Sequence, residues 1–237
     1  MINIVPVGFA AARKELARQE KQIPFATALA LTRTAQIAER AIKQEMESVF
    51  DRPTRWTLNS LRLIPAKKTK LQARVDLKDE AAKGVPAARW LNPEIKGGPR
   101  QDKRSEKLLR ARGILPNDKY IAPAKSMRLD KSGNVRLGQM QKILSGLGAQ
   151  FDRYQNSTDS ARSAANKRKF FVMYQGDKPL GIAERTSRRN IKLLLAFVSR
   201  PTYSKRLDFY GIGDRVAVKN LPIEMRKAFE QAIRTAR

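Results

Sequence analysis

The stretch that most limits the fold is IPFATALALTRTAQIAERAIKQEMESVF, residues 23–50. Phe25, Leu29, Thr32, Ala35, Ile42, Met46 and Val49 recur along it at steps of three and four residues or their multiples. On a helix that spacing makes one buried stripe. Its first half is rich in Ala and Thr, which suits close approach to a neighbouring helix or sheet. Pro24 fits the first helical position, where a missing N–H costs nothing, and Asp51 and Pro53 stop the segment. The residues ahead of it, FAAARKELARQEKQ, read as a separate short helix, so residues 9–50 are helical in two pieces.

Strands follow. LRLI (Leu61–Ile64) meets Pro65 and the polar turn PAKKTK, then LQARVDLKD alternates, with Leu71, Ala73, Val75 and Leu77 on one face and Gln72, Arg74, Asp76 and Lys78 on the other. Near the C-terminus RKFFVMYQ (168–175), LGIAERTS (180–187) and NIKLLLAFVS (190–199) form an antiparallel meander through the turns GDKP and RRN. The apolar centre of the third strand implies burial on both faces. LPIEMRKAFEQAIRTAR closes the chain as an amphipathic helix with Ile223, Met225, Phe229 and Ile233 near its apolar side. Between hairpin and meander the texture is Gly, Pro and charge. Only DKRSEKLLRARG, with Gly113 as its stop, and a short helix ending near Leu147 after a turn at Ser132–Asn134 read as regular, and 151–167 is linker-like. The expectation is an α+β fold: a long N-terminal helix, a β-hairpin and antiparallel meander, a C-terminal helix, and an extended irregular insertion. Residues 1–79 hold the helices and hairpin, 80–167 the insertion or arm, and 168–237 the meander and final helix. The hairpin is expected to join the meander in one sheet, with the terminal helices against it.

Charge narrows the function. Lys and Arg number 49 against 22 Asp and Glu, a formal net charge of +27. Such an excess repels itself and seeks an anionic partner: nucleic acid first, an acidic protein second, an anionic membrane third. There is no Cys and no His. That removes disulfides, Cys/His zinc sites and every His-based triad, leaving carboxylates, Lys, Ser, Tyr or an oxygen-ligated metal for any catalysis. The N-terminus turns charged too soon for an export signal, and the longest apolar run, LLLAFV at 193–198, falls far short of a membrane span. The expectation is a soluble protein of a reducing cytoplasm.

Three short motifs suggest chemistry. Asp76-Leu77-Lys78 places an acid and a lysine on one strand face, as a metal-dependent nuclease would; ordinary alternation on a solvated strand explains it as well, and the upstream acid in a Pro-Asp context is absent. DKSGN (130–134) has the start of a calcium loop without its spacing, and Gly97-Gly98 lacks the Gly-Lys-Ser/Thr of a phosphate cradle, so both read as turns. The basic clusters say more. Lys96, Arg100, Lys103, Arg104, Lys107, Arg110 and Arg112 form one; Arg162, Lys167, Arg168 and Lys169 a second; Arg185, Arg188, Arg189 and Lys192 a third. Each alone is a solvated face, but three in one chain favour contact with anionic material. Aromatic residues are not interleaved in a stacking pattern, which speaks against a single-strand platform. No base-reading motif is evident, so any DNA contact is to the backbone and indifferent to sequence.

IPFATALALTRTAQIAERAI…FDRPTRWTLNSLRLIPAKKTKLQARVDLKD, together with WLNPEIKGGPRQDKRSEKLLRARGILP and LDKSGNVRLGQMQKIL, resembles tailed-bacteriophage structural proteins related to the prophage minor tail protein Z family. Similar blocks occur in phage and prophage virion proteins encoded among the head–tail genes. The resemblance covers most of residues 23–147, and the C-terminal strands and helix more loosely. It implies a non-enzymatic virion component, assembled in the host cytoplasm, that completes the tail or joins it to the head. Such proteins work as copies in a ring beside other neck, tail or portal-proximal proteins. No catalytic, metal or cofactor residues come with it. FDRPTRWTLNSL (50–61) then reads as a structural joint: Phe50 closes the helix, Asp51 and Pro53 break it, and Trp56 and Leu58 anchor the hairpin. The polar insertion reads as an arm ordered on assembly. The competing readings are a sequence-indifferent nucleic-acid-binding protein and a metal-dependent nuclease built on Asp76 and Lys78.

Overall fold

The computed structural model describes residues 9–80 and 85–235, with side chains from Glu20 onward. The N-terminal stretch read for an export signal therefore lies largely outside the described residues. The fold is α+β, with a long N-terminal helix, antiparallel sheets and a C-terminal helix. The chain divides into two compact units, one of residues up to Leu91 plus Arg206 onward, the other Asn92–Lys205. The boundaries expected at 79/80 and 167/168 are not where it divides.

In the first unit, helix α1 (Phe9–Val49) lies antiparallel to α7 (Phe209–Thr235). Ala26, Ala30, Thr34, Ala38, Ile42 and Met46 are buried along α1 at steps of four, with Ala28 buried beside them; α7 buries Ile212, Glu224, Ala228 and Ala232. Ala26 and Ala30 meet Ala228 and Ala232 in one cluster, flanked by Phe25, Leu29, Leu221, Met225 and Phe229. With nothing beyond Cβ on the seam, the two backbones can approach closely while the larger flanking side chains exclude water. Arg33 Nη2 donates to Gln231 Oε1 at 2.8 Å, and Arg206 donates to the Val49 carbonyl. These contacts tie the helices at both ends of the pairing. The close approach expected from the Ala- and Thr-rich half is thus made to a helix, and the terminal helices pack on each other.

Three helix expectations change. Pro24 lies inside α1, which is one helix and not two. An interior proline costs about 3 kcal/mol, and the seam against α7, which starts at Ala26, offsets that loss. α7 begins at Phe209, well before the expected LPIEMRK start. Asp208 Oδ1 accepts from Gly211 N at 3.3 Å, an N-terminal cap that Gly211 and Gly213 disguise as a loop. Ile223 and Ile233, expected on the apolar side, are exposed, because the residues the helix buries beside them are Glu224 and Ala232.

The expected hairpin pairs β1 (Leu61–Ile64) with β2 (Arg74–Leu77), Leu61 opposite Leu77 and Ile64 opposite Arg74. It remains a two-stranded sheet of its own and does not join the meander. Ala66 N donates to Thr32 Oγ1 at 3.1 Å, fixing it to α1. The joint before it contains a short helix, α2 (Arg55–Leu58), capped by Thr54. Trp56 is exposed and anchors nothing among the described residues.

The second unit holds a four-stranded antiparallel sheet, ordered β4-β7-β6-β5, from β4 (Tyr120–Pro123), β5 (Phe170–Gln175), β6 (Lys178–Arg185) and β7 (Ile191–Val198). The meander is as expected; the fourth strand comes from the insertion. That stretch also gives α3 (Ala87–Lys96), which carries the division between units, the bridge β3 (Gly98–Pro99) that pairs with β8 (Thr202–Tyr203), and helices α4 (Arg104–Ala111) and α5 (Leu137–Gly146). Leu109, Leu115, Ile121, Met127, Ile143 and Leu144 from it form the core with Phe170, Ile182, Leu194 and Leu195 of the meander. The insertion is irregular in places but is no free arm, since it supplies half of its unit's interior. α6 (Ala164–Lys169) leads directly into β5. A Cβ on Gly146 of α5 would stand 2.7 Å from both the Asn166 carbonyl and the Phe170 ring, so only glycine lets α5 lie this close to α6.

Candidate anionic-partner surface

Strand register explains how distant cations meet. Phe170 pairs with Glu184, Glu184 with Lys192, and Arg185 with Ile191. The end of α6, the end of β6, the start of β7 and the turn at 186–190 therefore share one end of the sheet. The turn is held by Thr186 N donating to Asn190 O at 2.9 Å and by Asn190 N donating to Ser187 Oγ at 3.2 Å. It carries Arg188 and Arg189 fully into solvent. The second and third sequence clusters thus become a single basic end containing Lys167, Arg168, Lys169, Arg185, Arg188, Arg189 and Lys192.

Few of these charges are neutralised. Lys169 Nζ pairs with Glu184 at 2.7 Å and Lys167 Nζ with Asp159 at 2.6 Å. Arg185 lies over the Phe171 ring at 5.3 Å. Arg188, Arg189 and Lys192 form no salt bridge among the described residues, while Asp159, held below the ordinary carboxylate range chiefly by its hydrogen bond from Lys167, also feels the charge of Arg168. Residues 92–205 contain 25 Lys and Arg against nine Asp and Glu, so internal pairing cannot balance the unit, and the surplus faces outward.

The first cluster separates into two populations. Lys96, Lys103, Arg104, Lys107 and Arg112 are exposed on and around α4. Arg100 and Arg110 are structural, and their expected role as partner contacts is corrected. Arg100 Nη1 donates to Glu106 Oε2 at 2.8 Å, inside the protein. Glu106 is fully buried and also accepts from Ile121 N at 3.0 Å and Lys103 N at 2.7 Å. Arg110 Nη1 bonds Asp102 at 2.6 Å and Arg110 Nη2 the Lys119 carbonyl at 2.6 Å. Both guanidinium groups lie over the Tyr120 ring, at 5.1 and 5.0 Å. Burial pushes the Glu106 carboxyl up, but hydrogen bonds from Arg100, Ile121 N and Lys103 N, with the Arg100 charge, outweigh that and hold it below the ordinary carboxylate range. The Glu106 hydrogen bond is likewise the largest influence raising Arg100.

The motif candidates are engaged in local structure. Asp76 pairs in register with Arg62 and its carboxylate lies 3.8 Å from Arg74. Lys78 Nζ donates to the Asn59 carbonyl at 2.7 Å. Among the described residues no three of His, Cys, Asp or Glu come together. Asp130 Oδ1 accepts from Ser132 N and Asn134 N at 2.9 Å each, a turn that uses its own carboxylate. Gly98 belongs to β3 and pairs with Tyr203. No described helix is long and apolar enough to cross a membrane.

Sequence reasoning missed Phe151 and Tyr154, both highly exposed beside α6. Two aromatic residues flanking Asp-Arg in an otherwise polar stretch were the available signal. No protein-family model, curated protein or solved structure matches the chain.

Proposed function

We propose that the chain is a non-enzymatic structural component of a tailed-phage particle, at the neck or tail, acting in tail completion or head–tail joining as one copy in a ring. Its resemblance over residues 23–147 supports the virion assignment. The single structural observation that carries a docking role is the basic sheet end: cations from three elements gather with two acids, while the buried charges satisfy one another. Such a surface fits an acidic neighbour or the DNA that passes through a neck. A ring requires heterologous contacts that close by rotation.

The test is to purify particles, detect the chain in them by mass spectrometry, and delete its gene. Particles that contain it, and heads without functional tails in its absence, are the expected results; mature particles that lack it overturn the proposal. Asp76→Ala is expected to leave infectivity intact.

The same cations favour one second reading, a sequence-indifferent nucleic-acid binder acting outside the particle. In that case the chain is absent from particles, and its affinity for DNA falls steeply with salt.

A further inference from the structure

Residues 150–157 lie within the connection from α5 to α6 and hold two rings out toward solvent. Phe151 is 87% exposed and Tyr154 82% exposed. The backbone beneath them is pinned. Gln150 N donates to Asn156 Oδ1 at 2.9 Å, Tyr154 N to Asp152 Oδ1 at 3.0 Å, and Ser145 Oγ to the Gln155 carbonyl at 2.7 Å. A loose loop could fold its rings back against the core, but this one presents them. Isolated exposed apolar side chains are ordinary; two large rings on a hydrogen-bonded loop are a built feature.

Cations surround the rings. The Arg153 guanidinium lies 5.1 Å from the centre of the Tyr154 ring. Asn166 Nδ2 donates to Ser157 Oγ at 2.8 Å and to the Lys142 carbonyl at 3.1 Å, which makes the loop, α5 and α6 one body. From Asn166, less than one helical turn leads to Arg168 and the basic end of the sheet. Arg162 is exposed in the connection to α6. The two local acids are engaged, Asp152 within the turn and Asp159 with Lys167 at 2.6 Å. Ring and cation thus alternate along one loop at Phe151, Arg153 and Tyr154, with Arg162 and Arg168 following in the connection and in α6.

That alternation selects a ligand. Flat rings at high exposure call for flat partners, and free guanidinium groups call for phosphate; unpaired nucleotides offer both. A duplex keeps its bases stacked inside, so it would use the cations and leave the rings idle. An acidic protein would do the same. An anionic bilayer needs a contiguous apolar face, whereas the exposed positions around the rings include Gln141, Lys142, Asp152, Gln155, Thr158, Asp159 and Ser160. We propose that this surface binds single-stranded nucleic acid without regard to sequence, bases stacking on Phe151 and Tyr154 and phosphates held by Arg153, Arg162 and Arg168. The proposal uses the basic end described above but does not rest on the virion assignment.

The experiment titrates the full-length protein against a fluorescent oligothymidine of about 20 nucleotides, a duplex of the same length, and vesicles of phosphatidylcholine and phosphatidylserine, over a salt series. The single strand is expected to bind more tightly than the duplex. Phe151→Ala with Tyr154→Ala is expected to weaken the single strand about tenfold or more and the duplex less than about twofold, with an unchanged melting temperature. Arg162→Gln with Arg168→Gln is expected to lower the log–log salt slope by about one to two. Tyr154→Trp, which keeps the ring, retains affinity, and its emission is quenched by the oligothymidine. Equal affinity for single strand and duplex, equal weakening of both by the alanine pair, or preference for vesicles would each overturn the proposal. Should the alanine pair melt lower than wild type, the Tyr154→Trp emission decides: no quenching at saturating oligothymidine overturns it. Incorporation of the alanine pair into particles is scored separately, so the virion assignment stands or falls by its own result.

Discussion

Glu106 has no exposed surface, yet it is held ionised. One guanidinium and two backbone N–H groups saturate its oxygens, and through them it fastens α4 to β4. Removing one member of such a pair leaves the other charge buried and uncompensated, which costs about 3–5 kcal/mol. Glu106→Ala is therefore expected to lower the unfolding free energy of the Asn92–Lys205 unit by that amount, read as a lower urea midpoint. Arg100→Met with Glu106→Leu, which removes both charges, is expected to recover most of the loss. The pH dependence has a definite sign. The carboxyl's folded-state pKa is depressed, so the unfolded chain binds the proton more readily. The stabilisation is complete above the ordinary carboxylate value of about 4.3 and is lost as pH falls through the lower folded value. Urea midpoints followed from pH 7 downward should fall in that acid range for the wild type and stay flatter for the Arg100→Met/Glu106→Leu protein.

At the scale of elements, the alanine seam between α1 and α7 is the part most sensitive to added volume. Ala30→Leu inserts three carbons where backbones lie against each other, and overpacking of this kind costs about 1–3 kcal/mol. A fall in chemical-denaturation midpoint, with the α4 and sheet region unaffected by hydrogen exchange, is the expected result. Deleting residues 96–112 is expected to unfold the second unit, seen as loss of its strand signal by circular dichroism, because Glu106 and Leu109 go with it. The three meander strands were legible because their apolar runs are long enough to exclude other readings; the α1 stripe was legible only at Ile42 and Met46, because in the first half the seam buries Ala26, Ala30, Thr34 and Ala38 and leaves Phe25, Leu29, Thr32 and Ala35 half-buried beside it. The start of α7 was not, since Gly211 and Gly213 look like breakers until Asp208 is seen capping them. The structure within 80–167 was not legible either. Its core residues arrive one or two at a time, Leu109, Leu115, Ile121 and Met127, between Gly and Pro, and no local period reveals that they share an interior. For the surface, the charges were visible in the sequence. Which of them turn inward was not, because Arg100 differs from Arg104 only in having Glu106 across from it.

Among the described residues, Arg100 and Glu106 pair inside the second unit, whereas most of its cations are exposed, around α4 and at one end of the sheet. Arg188→Glu with Arg189→Glu lies on an exposed turn and is expected to keep the melting temperature within about one degree, surface changes being worth less than about 0.5 kcal/mol. It should weaken binding to heparin or DNA severalfold or more and reduce the salt slope by about two; a salt slope equal to wild type would show that the turn faces away from the partner. The pairing of α1 with α7 has a further outcome during synthesis. The Arg206–Val49 contact spans 157 residues of chain. A ribosome adding about 5–20 residues per second would take roughly 8–30 seconds to cover that interval. Helix α1 is thus left without its mate for that whole interval, during which the intervening sheet has every opportunity to form; a nascent-chain chaperone would find its grip on α1 rather than on α7.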